Sequence, residues 1–234
     1  MANVAALKKK AAEFELKKQL DKAVATYQEI LAAYDAGEDE SPDIALYNRV
    51  GDLLIRLGNT SEAVTFYERA VDLYAEGGFF NNAIALCNKI LRTSPGRAVI
   101  YYKLGQISAA KGFKGDAKQN FLEYADRMRS AGDITESFRA LKEFAELCPD
   151  QDDIRLMLAE QLNKADRKVE AVEQLQKLYA RYISAGREAE AEATAARVRA
   201  IDPTADISGT AVGREAKRDD LVFLDLDEPI SPTP

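Results

Sequence analysis

The side chains able to do acid–base or nucleophilic chemistry are 39 carboxylates, ten tyrosines and two cysteines, Cys87 and Cys148; there is no histidine. Without imidazole the chain lacks the commonest general base near neutral pH and the commonest metal ligand. It carries no phosphate-binding glycine loop, dinucleotide glycine fingerprint or Cys-x-x-Cys pair. The densest carboxylate group, Glu188, Glu190 and Glu192, alternates along an expected helix start, where negative charge complements the helix dipole. Cys87 occupies an apolar helix position and is expected to pack. Cys148 precedes Pro149 at a helix end and is expected to be more exposed. Neither has the histidine that activates a conventional thiol nucleophile. Tyr47, Tyr67, Tyr74 and Tyr101 fall at core spacing, while Tyr102, about 100° further round its helix, leaves that stripe. These residues predict no catalytic centre, no cofactor and no metal.

The elements that carry them recur. Gly58, Ala63, Gly78, Ala83 and Pro95 mark a segment spanning 44–95. Ala117, Gly132, Ser137 and Pro149 stand 54 residues beyond the last four, and Ala171, Gly186, Ala191 and Pro203 another 54 on. Glycine turns and small helix residues at a fixed interval signal a stacked repeat, in which each unit buries its apolar face against its neighbours. Apolar spacing of three and four predicts helices near 44–57, 60–76 and 79–93, then 97–111, 114–130 and 133–147, then 151–164, 168–184 and 187–201. Ser41 or Asp43, Thr60 or Ser61, and Asn81 are candidate N-caps. A hairpin of two helices, 3–18 and 20–35, precedes them. Its Phe14 and Ala23 match Tyr74 and Ala83 at an offset of 60, so it is expected to cap the array.

Large and small residues alternate at matched places. Val50, Leu104 and Leu158 each precede a small residue, Gly51, Gly105 or Ala159, and Tyr67, Phe121 and Leu175 correspond in the next helix. The small residue predicts close approach by a neighbour. The expected organisation is a capping hairpin (1–36), three three-helix units (44–95, 97–149, 151–203) and a tail (204–234).

Tyr47, Val50, Gly51, Leu54, Gly58, Ala63, Tyr67 and Ala70 resemble the tetratricopeptide repeat, a pattern of about 34 residues joining two antiparallel helices. Tyr101, Leu104, Gly105, Gly112, Ala117 and Phe121 repeat it, and Leu158, Ala159, Leu162, Ala171, Leu175 and Leu178 do so less fully. The resemblance covers residues 3–203. It implies an all-α, right-handed α-solenoid of antiparallel helices, about eleven by the spacing. The departure is the period: Ala83 follows Ala63 after 20 residues and Ala117 follows after 34 more, so two patterns overlap and share the middle helix. That helix, with Ala63, Val64, Phe66, Tyr67, Ala70, Val71 and Tyr74, is expected to bury two sides. The resemblance also places candidate groove residues at Asn48, Arg49, Asp52 and Arg56, at Tyr102, Lys103 and Gln106, and at Asp153, Met157 and Glu160. They do not reproduce the family's Lys/Asn/Arg clamp for a peptide carboxylate.

Net charge is −7 and the sequence pI about 4.9, which argues against general nucleic-acid binding. No run of about 18 apolar residues predicts a membrane span, the start lacks the order of a signal peptide, and two cysteines are too few for a disulfide framework. A cytoplasmic protein is expected. Residues 204–218 read as a flexible linker. Beyond them Leu221, Val222, Phe223, Leu224 and Leu226 sit among Asp219, Asp220, Asp225, Asp227 and Glu228, in an acidic tail expected to be disordered. Those apolar residues need a surface from elsewhere, a partner's or the chain's own. The expected function is a noncatalytic scaffold or adaptor for a protein or peptide, with the tail as second docking motif or self-occluding lid. The alternative is a regulatory or accessory subunit of an enzyme or signalling complex.

Overall fold

A computed structural model describes residues 4–36 and 43–207. The described residues form eleven helices and no strand: α1 Val4–Leu16, α2 Leu20–Asp35, α3 Ile44–Arg56, α4 Thr60–Glu76, α5 Phe80–Thr93, α6 Val99–Ala110, α7 Lys114–Ser130, α8 Ile134–Leu147, α9 Asp152–Lys164, α10 Lys168–Ser184 and α11 Glu188–Ile201. They belong to two compact units, Met1–Gln151 and Asp152–Pro234. The helices expected at 60–76, 114–130, 168–184 and 20–35 have those bounds, and the remainder differ by one or two residues at their ends.

Three-residue joints explain why these stretches fold as tight hairpins. After α3 the chain turns through Gly58 at φ +84°; the Gly58 amide donates to Ile55 O (3.0 Å) and the Asn59 amide to Leu54 O (2.9 Å). This pair of bonds satisfies the last carbonyls of the helix and needs a left-handed residue at its centre. The same pattern recurs at Gly78, Gly112, Gly132 and Gly186, and at Lys18 (φ 57°) and Asp166 (φ 61°), which bear a Cβ. The joints also decide the N-caps. α4 and α5 start from Asn59 and Phe79 rather than from Thr60, Ser61 or Asn81, and neither makes a side-chain capping bond, because the turn itself sets where each helix begins. Asp43 takes the N-cap of α3, but its carboxylate accepts from Lys8 Nζ at 2.9 Å instead. Only Asp133 caps through its side chain among the described N-caps, accepting from the Glu136 amide at 3.0 Å.

Between α5 and α6 the joint is longer and contains Pro95, and packing across it is thinner than within α3–α4–α5 or α6–α7–α8. Arg97 braces it with paired bonds from Nε (2.6 Å) and Nη2 (2.9 Å) to the Glu68 carboxylate of α4.

The middle helix of each triplet packs on both neighbours, as its wide apolar face predicts: α4 buries Ala63, Val64, Tyr67, Ala70 and Val71. The small residues of the first helices receive rings. A Cβ on Gly51 would lie 2.3 Å from the Tyr67 ring, and one on Gly105 would lie 2.6 Å from the Phe121 ring. In the second unit Ala159 carries that methyl group, and Leu175 replaces the ring within one apolar cluster. Cys87 is buried as expected. Cys148 is buried too, only 1% exposed, contrary to the sequence expectation, because the turn after α8 folds it inward. The stretch 202–207 also departs from a free linker. Asp202 accepts from the amide (2.9 Å) and hydroxyl (2.7 Å) of Thr204, and Ala205 and Ile207 pack against Ala159, Val172, Leu175 and Val198.

Candidate binding face

Each triplet presents a face where its first helix meets its third, and the predicted groove residues of α3, α6 and α9 lie there or beside it. Two matched positions form a bridge across that face in all three triplets. In α3–α5 the Lys89 ammonium bonds the Asp52 carboxylate and donates to Asn48 Oδ1 at 3.0 Å. In α6–α8 Gln106 Nε2 donates to Glu143 Oε1 at 2.8 Å. In α9–α11 Arg197 Nη1 donates to Glu160 Oε1 at 3.0 Å. The third-helix partners Lys89, Glu143 and Arg197 escaped the sequence reading. Their signal was available: each directly precedes the matched core residue Ile90, Phe144 or Val198.

The remaining predicted residues separate. Arg49 turns to α1, where Nε donates to Glu15 Oε1 at 3.0 Å beside the Tyr27 hydroxyl, itself 2.8 Å from the same oxygen. Lys103 pairs with Asp72 of α4 and rims a small cleft of about 190 Å³ floored by Val71, Phe80 and Ile107. Arg56 is exposed at the end of α3, Asp153 is exposed, and Met157 is half-buried. Leu221, Val222, Phe223, Leu224 and Leu226 lie outside the described residues.

The Tyr102 position shows how such a face can be filled. Tyr102 lies off the buried stripe as expected, yet it is half-buried rather than free. Its ring centroid sits 5.6 Å from that of Phe121 and 5.2 Å from that of Tyr124, and Phe121 stacks on Phe144 at 5.5 Å. Its hydroxyl donates to Glu143 Oε2 at 2.6 Å and accepts from Arg139 Nη1 at 3.2 Å, with the guanidinium over the ring. The α6–α8 face is thus plugged. Tyr101, expected in the core, is half-buried under the Arg127 guanidinium, 4.5 Å from its centroid.

In α3–α5 the matched residue is Asn48, too short to span the gap, and a cleft of about 420 Å³ remains. Asn48, Asn81, Asn82, Lys89 and Arg92 line it above Tyr74, Ala85 and Leu86, with no carboxylate among these residues. In α9–α11 the matched residue is Leu156, which packs against the apolar clusters, and a cleft of about 300 Å³ that it does not line is formed by Ala159, Leu175, Ala200 and Ile201, with Glu160, Asn163 and Arg197 at its polar edge.

Burial pushes the Cys87 thiol up to about 12 and raises that of Cys148, so both are protonated near neutral pH and poor nucleophiles. Burial, then the hydrogen bond to Asp52, raises the Tyr67 hydroxyl; burial, then Glu143, does the same for Tyr102. The Glu190 carboxyl is held below its usual range by its own backbone amide and by Arg187, as befits an acid in the first turn of α11. Among the described residues no group of three or more acids or thiols is placed to hold a metal ion, and no helix is long and apolar enough to cross a membrane.

Residues 3–76 match the family model of the tetratricopeptide repeat. That match identifies tetratricopeptide repeat in residues 3–76, the stretch that holds the α1–α2 and α3–α4 hairpins described above. No curated relative matches it. Among solved structures it is similar to tetratricopeptide-like repeats of a putative kinesin light chain from Podosopora anserina (19% identity, 86% of this chain and 97% of that one, TM-score 0.37). It is similar as well to a tetratricopeptide repeat protein from Parabacteroides merdae (17% identity, 85% and 93% covered, TM-score 0.27). A further likeness is to BtubC from P. vanneervenii (19% identity, 82% and 76% covered, TM-score 0.33).

Proposed function

We propose that this tetratricopeptide-repeat chain is a noncatalytic scaffold or adaptor that binds a segment of another protein in the α3–α5 cleft. The observation that carries the reading is the cleft's lining. Primary amides each offer two donors and one acceptor, matching the alternating groups of an extended peptide backbone, while Lys89 and Arg92 favour acidic side chains and Leu86 and Ala85 give an apolar floor. Of the sequence-predicted residues, Asn48 lines the cleft and Asp52 holds Lys89 in place. Arg49, Arg56, Tyr102, Lys103 and Gln106 extend the binding surface in this reading. The capping hairpin (1–36), three-helix units (44–203) and acidic tail (204–234) form its working parts, with residues 221–226 as a second docking motif or self-occluding lid. The buried free thiols suit a reducing, cytoplasmic setting.

The test is a photo-crosslinking residue placed at Asn82 in the full chain and activated in the native cell. A discrete partner captured there, and captured at least tenfold less when Arg92→Glu is added, supports the cleft. Equal capture by both chains removes it. A stoichiometric complex that survives gel filtration and ignores Arg92→Glu favours an accessory-subunit role instead.

A further inference from the structure

The α9–α11 cleft opens beside Leu175, where α6–α8 carries the Phe121 ring. Tyr102, Phe121, Tyr124 and Phe144 of α6–α8 correspond to Leu156, Leu175, Leu178 and Val198, all smaller. The backbone register is kept and side-chain volume is lost, which leaves apolar surface open beside Ala159, Leu175, Ala200 and Ile201.

We propose that this cleft seats the chain's own segment 221–226, with Phe223 or a neighbouring leucine entering beside Leu175, in the volume that the Phe121 ring takes in α6–α8. The inference deepens the self-occluding reading of the tail and is independent of peptide binding at α3–α5. The path of the chain supports it. After α11 the main chain folds back, so that Ala205 and Ile207 pack on the cluster containing Ala159 and Leu175, two residues of the cleft itself. Gln176 Nε2 holds Asp206 O at 2.7 Å on the same side. The chain therefore leaves the described structure at the cleft's own apolar cluster.

Residues 208–220 then separate that anchor from the segment. At full stretch they reach up to about 45 Å. A tether of that length gives an effective concentration on the order of millimolar, enough for a weakly binding segment to be substantially docked. Chemistry favours this cleft over the one at α3–α5, whose three asparagines would be left without partners by bulky apolar side chains. Arg197, half exposed at the rim, also offers a cation to Asp225 and Asp227.

The chain has no tryptophan, so Phe223→Trp makes a one-tryptophan reporter in the full-length protein. The expected result is blue-shifted emission with several-fold weaker iodide quenching, both returned to solvent-like values by Ala200→Arg. Ala200 is exposed, so that variant keeps the fold, checked by circular dichroism. Arg92→Glu should leave the signal unchanged. Solvent-like emission in the parent reporter, or a blue shift indifferent to Ala200→Arg, overturns the proposal. A shift abolished by Arg92→Glu places the segment at α3–α5, and one lost on dilution assigns it to a second copy; either result also overturns it.

Discussion

Where α6–α8 carries Tyr102 over a stack of three further rings, α9–α11 carries leucines and a valine at the matched places, and a cleft opens beside Leu175, the counterpart of Phe121. The second and third helices have equal lengths, α9 is one residue longer than α6, and the joints fall at matched positions in both. A repeat architecture thus separates two properties usually entangled: joints and small residues specify the backbone, while a few ring positions specify whether a binding face exists. The α3–α5 triplet makes the point a third way, keeping a ring at Tyr67 but opening its face with Asn48, which yields a polar cleft. A shared scaffold therefore supports three chemically different faces.

The sharpest way to break this comparison is at the ring seats. Gly105→Ala drives a methyl group into the buried Phe121 ring and should cost about 1–3 kcal/mol in urea unfolding. Adding Phe121→Leu recreates the Ala159–Leu175 pairing and should recover part of that loss. Strictly additive losses would show that the two positions do not share a seat. Next in size, Tyr102→Leu should cost about 1–2 kcal/mol through lost ring contacts and the hydrogen bond to Glu143. It should also open α6–α8 to an apolar dye.

A pH test distinguishes the same two regions. Burial, then the bond to Glu136, pushes the Tyr124 hydroxyl up to about 12, and its counterpart Leu178 has nothing to ionise. A folded pKa above the unfolded value of about 10 contributes stability that is complete below about pH 10 and is lost as pH rises toward 12. Tyr124→Phe should therefore flatten the decline of the urea midpoint between pH 9 and 11. An unchanged slope would assign the alkaline sensitivity elsewhere. The smallest effect is expected at the bridges: Arg197→Ala, which removes a half-exposed ion pair, should change stability by less than about 1 kcal/mol. A larger loss would mean that the bridge, rather than apolar packing, holds α9 to α11.

Much of this was readable in the residues. Period, helix bounds and the middle helix with two buried sides follow from local rules, since a left-handed joint and three-and-four apolar spacing are written over a few adjacent positions. The N-caps were misplaced because Asn59 and Phe79 are set by joint geometry, not by side-chain preference. The candidate groove residues do not all share one face. Arg49 and Lys103 share the α3 and α6 faces in sequence but turn to Glu15 and Asp72, partners more than thirty positions away. Cys148 was misjudged for a similar reason: a turn residue's exposure depends on what folds over it.

The sequence by itself determined the repeat and the seats where Gly51 and Gly105 must stay small, because backbone turns and close approaches depend on residues that are neighbours along the chain or at a fixed interval. Only the tertiary structure decided which faces are open. Whether a gap between first and third helix survives depends on the summed volume of side chains from three helices, and on which long polar side chains bridge it. Asn48, Tyr102 and Leu175 are ordinary residues one at a time. Set against Lys89, Glu143 and Arg197 across the packed helices, they become parts of a polar cleft, a plug and an apolar cleft.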